Sequence, residues 1–203
     1  MKRLAVAMVV VATCIAAGTA RADGDPASDY LLGSQVFFPF DAKIPKAKKQ
    51  ELIATLADAN RKGYKIRAAL IYSAYDLGAV TSLWRKPQTY AQFLSEEIRF
   101  VYAKRLLIVM PNGFGFYWHG HSNTREQKLL AKIPVKPTPV GVVDAAKEAV
   151  VQLAAADGVK VEPAGAKGPS RGKQRIIIVL VVVAVIALLV LLRLALRGRG
   201  KTA

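Results

Sequence analysis

The sequence predicts a small α/β domain with a mostly parallel sheet, in the order β-α-β-α-β-β-α, followed by a transmembrane helix. Three observations carry that expectation. Apolar runs of strand length at 65–72 and 105–110 alternate with segments whose apolar residues recur at helical spacing. The pair Asn112-Gly113 sits between two apolar runs and signals a hairpin. Residues 176–192 are an unbroken run of Ile, Val, Leu and Ala.

The elements follow in order. Residues 34–38 read as a short strand. A helix is expected over 44–61, because Pro45 suits its first turn and Leu52, Ile53, Leu56, Ala57 and Asn60 share a face. Lys46, Lys48, Lys49 and Glu51 lie on its wet side, and Gly63 stops it. Residues 65–72 form a buried strand. The connection 73–88 is long for a βα loop, where two to about six residues are usual. A second helix over 89–101 follows, with Tyr90, Phe93, Leu94, Glu97 and Ile98 as its stripe. Strand 105–110 turns at 111–113 and returns antiparallel over 114–118. A last helix, 139–156, aligns Val142, Val143, Ala146, Ala149, Val150 and Leu153. Right-handed crossovers then give a parallel sheet with one antiparallel edge.

The two ends carry addresses. Lys2 and Arg3 precede an uncharged apolar run over 4–17, and Ala20-Arg21-Ala22 supplies a small-residue cleavage pattern, so residues 1–22 read as a secretory signal cut after Ala22. The apolar stretch 176–196 has 21 residues, enough to cross a hydrocarbon core of ~30 Å. Arg171, Lys173 and Arg175 precede it and Arg193, Arg197, Arg199 and Lys201 follow or close it, so flanking charge barely orients the span. The signal does. It places the folded domain, residues 26–157, outside the cytoplasm, joined through a flexible basic linker, 158–175, to a single span in the plasma membrane. The tail 197–203 is then cytoplasmic.

Composition narrows the chemistry. The one cysteine, Cys14, lies in the signal, so the mature chain has no disulfide, cysteine-metal or thiol chemistry. The formal charge is +16, and +13 without Lys2, Arg3 and Arg21. That balance suits an anionic partner. Outside the cytoplasm it points to anionic lipid, wall polymer or a neighbouring membrane protein, and away from nucleic acid.

With these elements in place, residues 36–118 resemble the TPM domain family. The likeness rests on the helix-strand unit 48–72, on Tyr90-Ala91 opening the second helix, and on Arg105-Leu106-Leu107-Ile108-Val109-Met110 ahead of Asn112-Gly113-Phe114-Gly115. Signal, domain and C-terminal span also match bacterial members, and the chain is similar to short members from high-GC Gram-positive bacteria. The resemblance implies a membrane-anchored α/β module. Typical members carry acidic residues associated with calcium binding and phosphatase activity, including an Asp-Asn-Gly-like stretch before the third strand. Here that stretch is Val101-Tyr102-Ala103-Lys104, without a carboxylate.

Several residues are candidates for a site. Ligands of open α/β sheets bind outside the carboxyl ends of the strands, where Asp41, Asp76, Trp84, Arg85, Lys86 and Glu96 are expected to form an anion-attracting edge with an aromatic surface. Asp41, Asp76 and Glu96 are the carboxylates on which a calcium site would depend. His119 and His121 resemble half of a transition-metal site, short of a third ligand. Ser73, Ser82 and Ser122 lack the glycine-flanked elbow of hydrolases, and Glu96-Glu97, as helix neighbours, point about 100° apart. No catalytic set emerges, and no cofactor is expected. The expected function is a non-enzymatic interaction or accessory module at the cell envelope, with a divalent-metal phosphatase or other hydrolase as the alternative.

Overall fold

Alternation within the two central strands divides the apolar side chains between two cores. The computed structural model describes residues 24–165. In it, Ile66, Ala68 and Leu70 of β2 (Ile66–Leu70) face one side of the sheet with Leu107 and Val109 of β3 (Arg105–Met110). Ala69 faces the other side with Leu106, Ile108 and Met110. Period-two geometry makes this split unavoidable once both faces are covered. The other strands are β1 (Val36–Phe37) and β4 (Gly113–Tyr117). The sheet has four strands in the order β1-β2-β3-β4. β1, β2 and β3 are parallel, and β4 is antiparallel to β3.

Helices cover both faces. The first core packs α2 (Lys46–Arg61) and α5 (Pro139–Ala156) on the sheet, with Leu130 from the end of α4 (Thr124–Leu130). Ala59, Ala146 and Ala149 are buried there, small enough to let α2 and α5 approach closely. An ion-pair network ties those helices across their outer surface: Lys48 Nζ lies 2.9 Å from Asp144, and Lys147 Nζ 2.7 Å from Glu51. The hydrogen bond from Lys147 holds the Glu51 carboxyl below its ordinary range. The second core packs α1 (Pro26–Gly33) and α3 (Pro87–Glu97), with Leu77 from a 3-10 segment (Ala74–Leu83). The architecture is a three-layer α/β sandwich.

Two close approaches fix the second layer. A Cβ built on Gly115 of β4 would overlap the Pro87 carbonyl at the start of α3. Beside it the Gln88 side chain accepts from the Phe116 N–H at 3.0 Å and donates to the Phe116 carbonyl at 3.0 Å, closing that part of the sheet edge. Gly78 has φ +53, and a Cβ there would fall 2.8 Å from Pro26 Cδ, so this glycine seats α1. Arg67 secures the far end of α1 by donating to the Leu31 carbonyl, with its guanidinium 4.1 Å from the Tyr102 ring centroid.

The structure departs from the expected boundaries in several places. β1 is shorter than 34–38, because Pro39 follows Phe38 and brings no N–H to a ladder. The second expected helix starts earlier and ends earlier, at Pro87–Glu97. The loop 73–88 is largely the 3-10 segment, opened by a Ser73–Asp76 capping box. α1 and α4 are additional helices. The hairpin turn consists of Pro111 and Asn112, and Gly113, at φ +140, is the first residue of β4. Proline fixes φ near −65°, which excludes the primed turn that Asn-Gly suggests.

The folded region also exceeds 26–157. Residues 158–164 run back along α2: Lys62 Nζ donates to the Lys160 carbonyl, and the Ala164 N–H donates to Thr55 Oγ1 at 3.1 Å. Val161 is buried in the first core, so the start of the expected linker belongs to the domain. No helix among the described residues is long and apolar enough to cross a membrane. The expected signal at 1–22 and span at 176–196 lie outside the described residues.

Candidate functional site

In this topology the carboxyl ends of β1, β2 and β3 share one end of the sheet, together with the start of α2, the 3-10 segment, the start of α3 and the approach to α5. Asp76 sits at its centre and is 1% exposed. Its Oδ1 accepts from the Phe40 N–H at 3.0 Å. Its Oδ2 accepts from the Tyr72 N–H at 2.9 Å and the Ser73 N–H at 2.8 Å, with the Ser73 hydroxyl at 3.3 Å. The carboxylate therefore ties the chain leaving β1 to the chain leaving β2. Both oxygens of this buried carboxylate are engaged by backbone amides, and Asp76 acts as a structural clamp.

Outside that clamp the surface is aromatic and cationic. Tyr30, Phe37, Phe40 and Tyr75 form a continuous edge-to-face series, with centroid separations of 5.7, 5.3 and 6.3 Å. Phe37 is buried, whereas Tyr30 is 56%, Phe40 51% and Tyr75 69% exposed. Lys49 lies 5.3 Å from the Phe38 ring centroid, and both line a groove with Tyr30, Pro39 and Phe40. Lys43, Lys46, Lys49, Arg85, Lys86 and Lys136 also belong to this end, and among the described residues none has a carboxylate within ion-pairing distance. The opposite end differs. There Asp58 pairs with Arg61 and Lys62, Glu96 with Arg99, and Asp157 with Arg105 and Arg125. Residues 24–165 hold 19 basic and 13 acidic side chains, a formal +6, and at this end part of that excess is left without a partner.

Five of the six expected edge residues, Asp41, Asp76, Trp84, Arg85 and Lys86, lie at this end. Trp84 is half-buried against the second core, and Arg85 is exposed beside it. Arg85 has φ +60, a left-handed conformation that costs a non-glycine residue about 1 kcal/mol. Its carbonyl accepts from Asn112 Nδ2 at 2.8 Å, which holds this conformation in place. Asp41 is exposed at the same end as the buried Asp76. Glu96 does not join them. α3 runs against the parallel strands, so Glu96, near its C-terminus, lies by the strand N-termini, 3.0 Å from His119 Nδ1.

The histidines also diverge. His119 turns to Glu96, whereas His121 stacks on Trp118, centroids 3.5 Å apart and planes within 12°. Arg105 continues that stack between Trp118, at 3.8 Å, and Tyr64, at 4.2 Å. Among the described residues no group of three or more His, Cys, Asp or Glu side chains is placed to hold a metal. A cavity beside the β3–β4 turn, about 330 Å³, is lined by residues such as Pro111, Phe114, Leu130 and Val135, and by no ionisable side chain.

One titrating group near this end went unnoticed in the sequence. Asp25 is 5% exposed, caps α1 through the Ala27 N–H, and accepts from the Tyr90 hydroxyl at 2.8 and 2.9 Å. Burial pushes its carboxyl from 3.8 up to about 6, against the opposing hydrogen bonds from Tyr90 and Ala27. The folded state thus holds the proton more tightly than the unfolded chain. Asp25's contribution to stability is complete below the unfolded value of 3.8 and is lost as pH rises through about 6. Asp25→Asn keeps the cap and an acceptor for Tyr90 but cannot ionise. It is expected to exceed the wild type by about 1–3 kcal/mol near pH 7, with the difference closing near pH 4. Paired denaturant titrations at the two pH values check this, and equal stability near neutrality contradicts it.

No family model, curated protein or solved structure matches this chain.

Proposed function

We propose that this protein is a membrane-anchored, extracytoplasmic TPM-like module that works by binding, without chemistry of its own, at the strand-carboxyl end of its sheet. The observation that carries the reading is the state of Asp76. At the position where an open α/β sheet would present a reactive carboxylate, the oxygens are filled by the amides of Phe40, Tyr72 and Ser73. What the end offers to solvent is Tyr75, Phe40 and cations without carboxylate partners, the makeup of a recognition surface for an anionic partner. Anchoring and orientation come from the sequence: the signal at 1–22 and the apolar stretch at 176–196 support them.

Photo-crosslinking tests the reading. A benzophenone amino acid replacing Tyr75 in the full chain, in its native envelope, is expected to give discrete adducts, and the same probe replacing Lys104 at the far end is not. Equal labelling at both positions overturns it. So does calcium-, magnesium- or manganese-dependent hydrolysis of a generic phosphate ester that is lost in Asp41→Ala, an exposed position whose replacement spares the fold.

A further inference from the structure

We infer that the strand-carboxyl end of the domain rests on the surface of an anionic bilayer, with Phe40 and Tyr75 in the headgroup layer and the surrounding lysines and arginine on lipid phosphates. The inference rests on the proposed binding role of this end and names its partner. Three observations lead to lipid.

The first is the pairing of residue types. Exposed aromatic rings with a polar or mobile edge, set among cations, are the composition of membrane-interface belts. The Tyr75 and Phe40 ring centroids are 6.3 Å apart, and Lys43, Lys46, Arg85 and Lys86 lie on connections at the same end of the sheet. The second is charge complementarity. Lys43, Lys46, Arg85 and Lys86 have no carboxylate partner among the described residues, so their charge is available to lipid phosphates. The third is the course of the chain. Residues 158–164 travel along α2 from Lys62 towards Thr55, that is, from the end of the strand N-termini towards the strand-carboxyl end. Ten residues, 166–175, then precede the expected span, a reach of no more than about 40 Å when fully extended. Such a tether keeps the domain within contact range of the bilayer, and Lys167, Arg171, Lys173 and Arg175 within it add to the attraction.

The far end supplies the natural control. Phe100 is 79% exposed on the turn after α3, so exposure alone does not separate it from Tyr75. The test uses the full chain in nanodiscs, in a Cys14→Ser background, with an environment-sensitive fluorophore on Tyr75→Cys or on Phe100→Cys and a nitroxide lipid as quencher. Discs contain phosphatidylcholine alone or with phosphatidylglycerol. The expected result is quenching and a blue shift at Tyr75 in the anionic discs only, with Phe100 unaffected. Lys43→Glu combined with Lys46→Glu and Lys86→Glu should abolish it. Raising salt to about 1 M, where the Debye length falls to about 3 Å, should do the same. Quenching at Phe100 in place of Tyr75, or equal quenching at both, overturns the inference. No quenching at Tyr75 also overturns it. If Tyr75 then still crosslinks to a protein in the native envelope, the binding role survives with a protein partner, and if it does not, both fail. The pair Trp84 and Trp118, which lie at opposite ends of the sheet, gives a second readout with brominated lipid and no surface substitution.

Discussion

Replacing Asp76 by alanine is expected to lower folding stability by about 3–5 kcal/mol, enough to unfold a marginal domain. The substitution strands the N–H groups of Phe40, Tyr72 and Ser73, which the carboxylate now accepts. An amide left without an acceptor costs about 1–3 kcal/mol when fully buried and less where water reaches it, as for these part-buried groups. It also unties the ends of β1 and β2 and removes one half of the Ser73–Asp76 capping box. Asp76→Asn keeps one acceptor oxygen but turns an NH₂ group towards amide donors, so about half of the loss is expected to remain. Urea unfolding followed by tryptophan fluorescence reads both variants. A catalytic or metal-binding Asp76 predicts the reverse pattern, with activity lost and stability unchanged or raised, since functional carboxylates are commonly held at a cost to the fold.

The second large effect is expected at Gly115. Its hydrogen occupies the place where a methyl group would meet the Pro87 carbonyl, and the obstacle is backbone at the start of α3, with no side chain free to swing away. Gly115→Ala must push the first turn of α3 off β4. That movement breaks the paired bonds between Gln88 and Phe116 and loosens Tyr90 and Leu94 in the second core. A loss of about 3 kcal/mol or more is expected. Gly33→Ala serves as the control, because a Cβ there meets nothing within 4 Å and its φ is not positive. It should change stability by no more than about 0.5 kcal/mol. Similar melting behaviour for the two variants would contradict the tight α3–β4 approach.

Much of the fold is legible in the sequence where long periodic segments set it. Leu52 and Leu56 announce α2, although Ile53, expected on the same face, is exposed and Ala59 is buried instead; Val142 to Leu153 announce α5, and the apolar run from Leu106 to Met110 announces a strand covered on both faces. Parallel order followed from the alternation of strands with helices, and the antiparallel edge from Asn112-Gly113 between two apolar runs. What escaped is short. α1 has 8 residues and little amphipathic contrast, although Asp25 at its cap and Pro26 in its first turn are helix start signals present in the sequence. The 3-10 segment has no apolar stripe of its own and owes its form to Asp76 and Gly78.

The candidate edge was legible in part. Asp41, Asp76, Trp84 and Arg85 do belong to one end, because strand polarity decides where βα loops emerge. Glu96 fell at the wrong end because its position depends on which way α3 runs past the sheet, and a helix C-terminus always returns to the strand N-termini. The exposed aromatic series was not legible. Tyr30, Phe40 and Tyr75 come from α1, the β1–α2 connection and the 3-10 segment, and only the close seating of α1 and the 3-10 segment around β1 brings them together. The role of Asp76 was hidden for a similar reason: an isolated carboxylate in a loop reads the same whether it binds a ligand or the loop itself.

Hydroxyl-radical footprinting of the full chain in native membrane vesicles, compared with the chain in detergent, tests the central claim most directly. Phe40, Tyr75 and Phe100 are all well exposed and all reactive, so each reports its own end of the domain. A working surface at the strand-carboxyl end predicts that Phe40 and Tyr75 are protected in the vesicles while Phe100 labels as strongly as it does in detergent. Labelling of Phe40 and Tyr75 that matches the detergent control, with or without protection at Phe100, would contradict it.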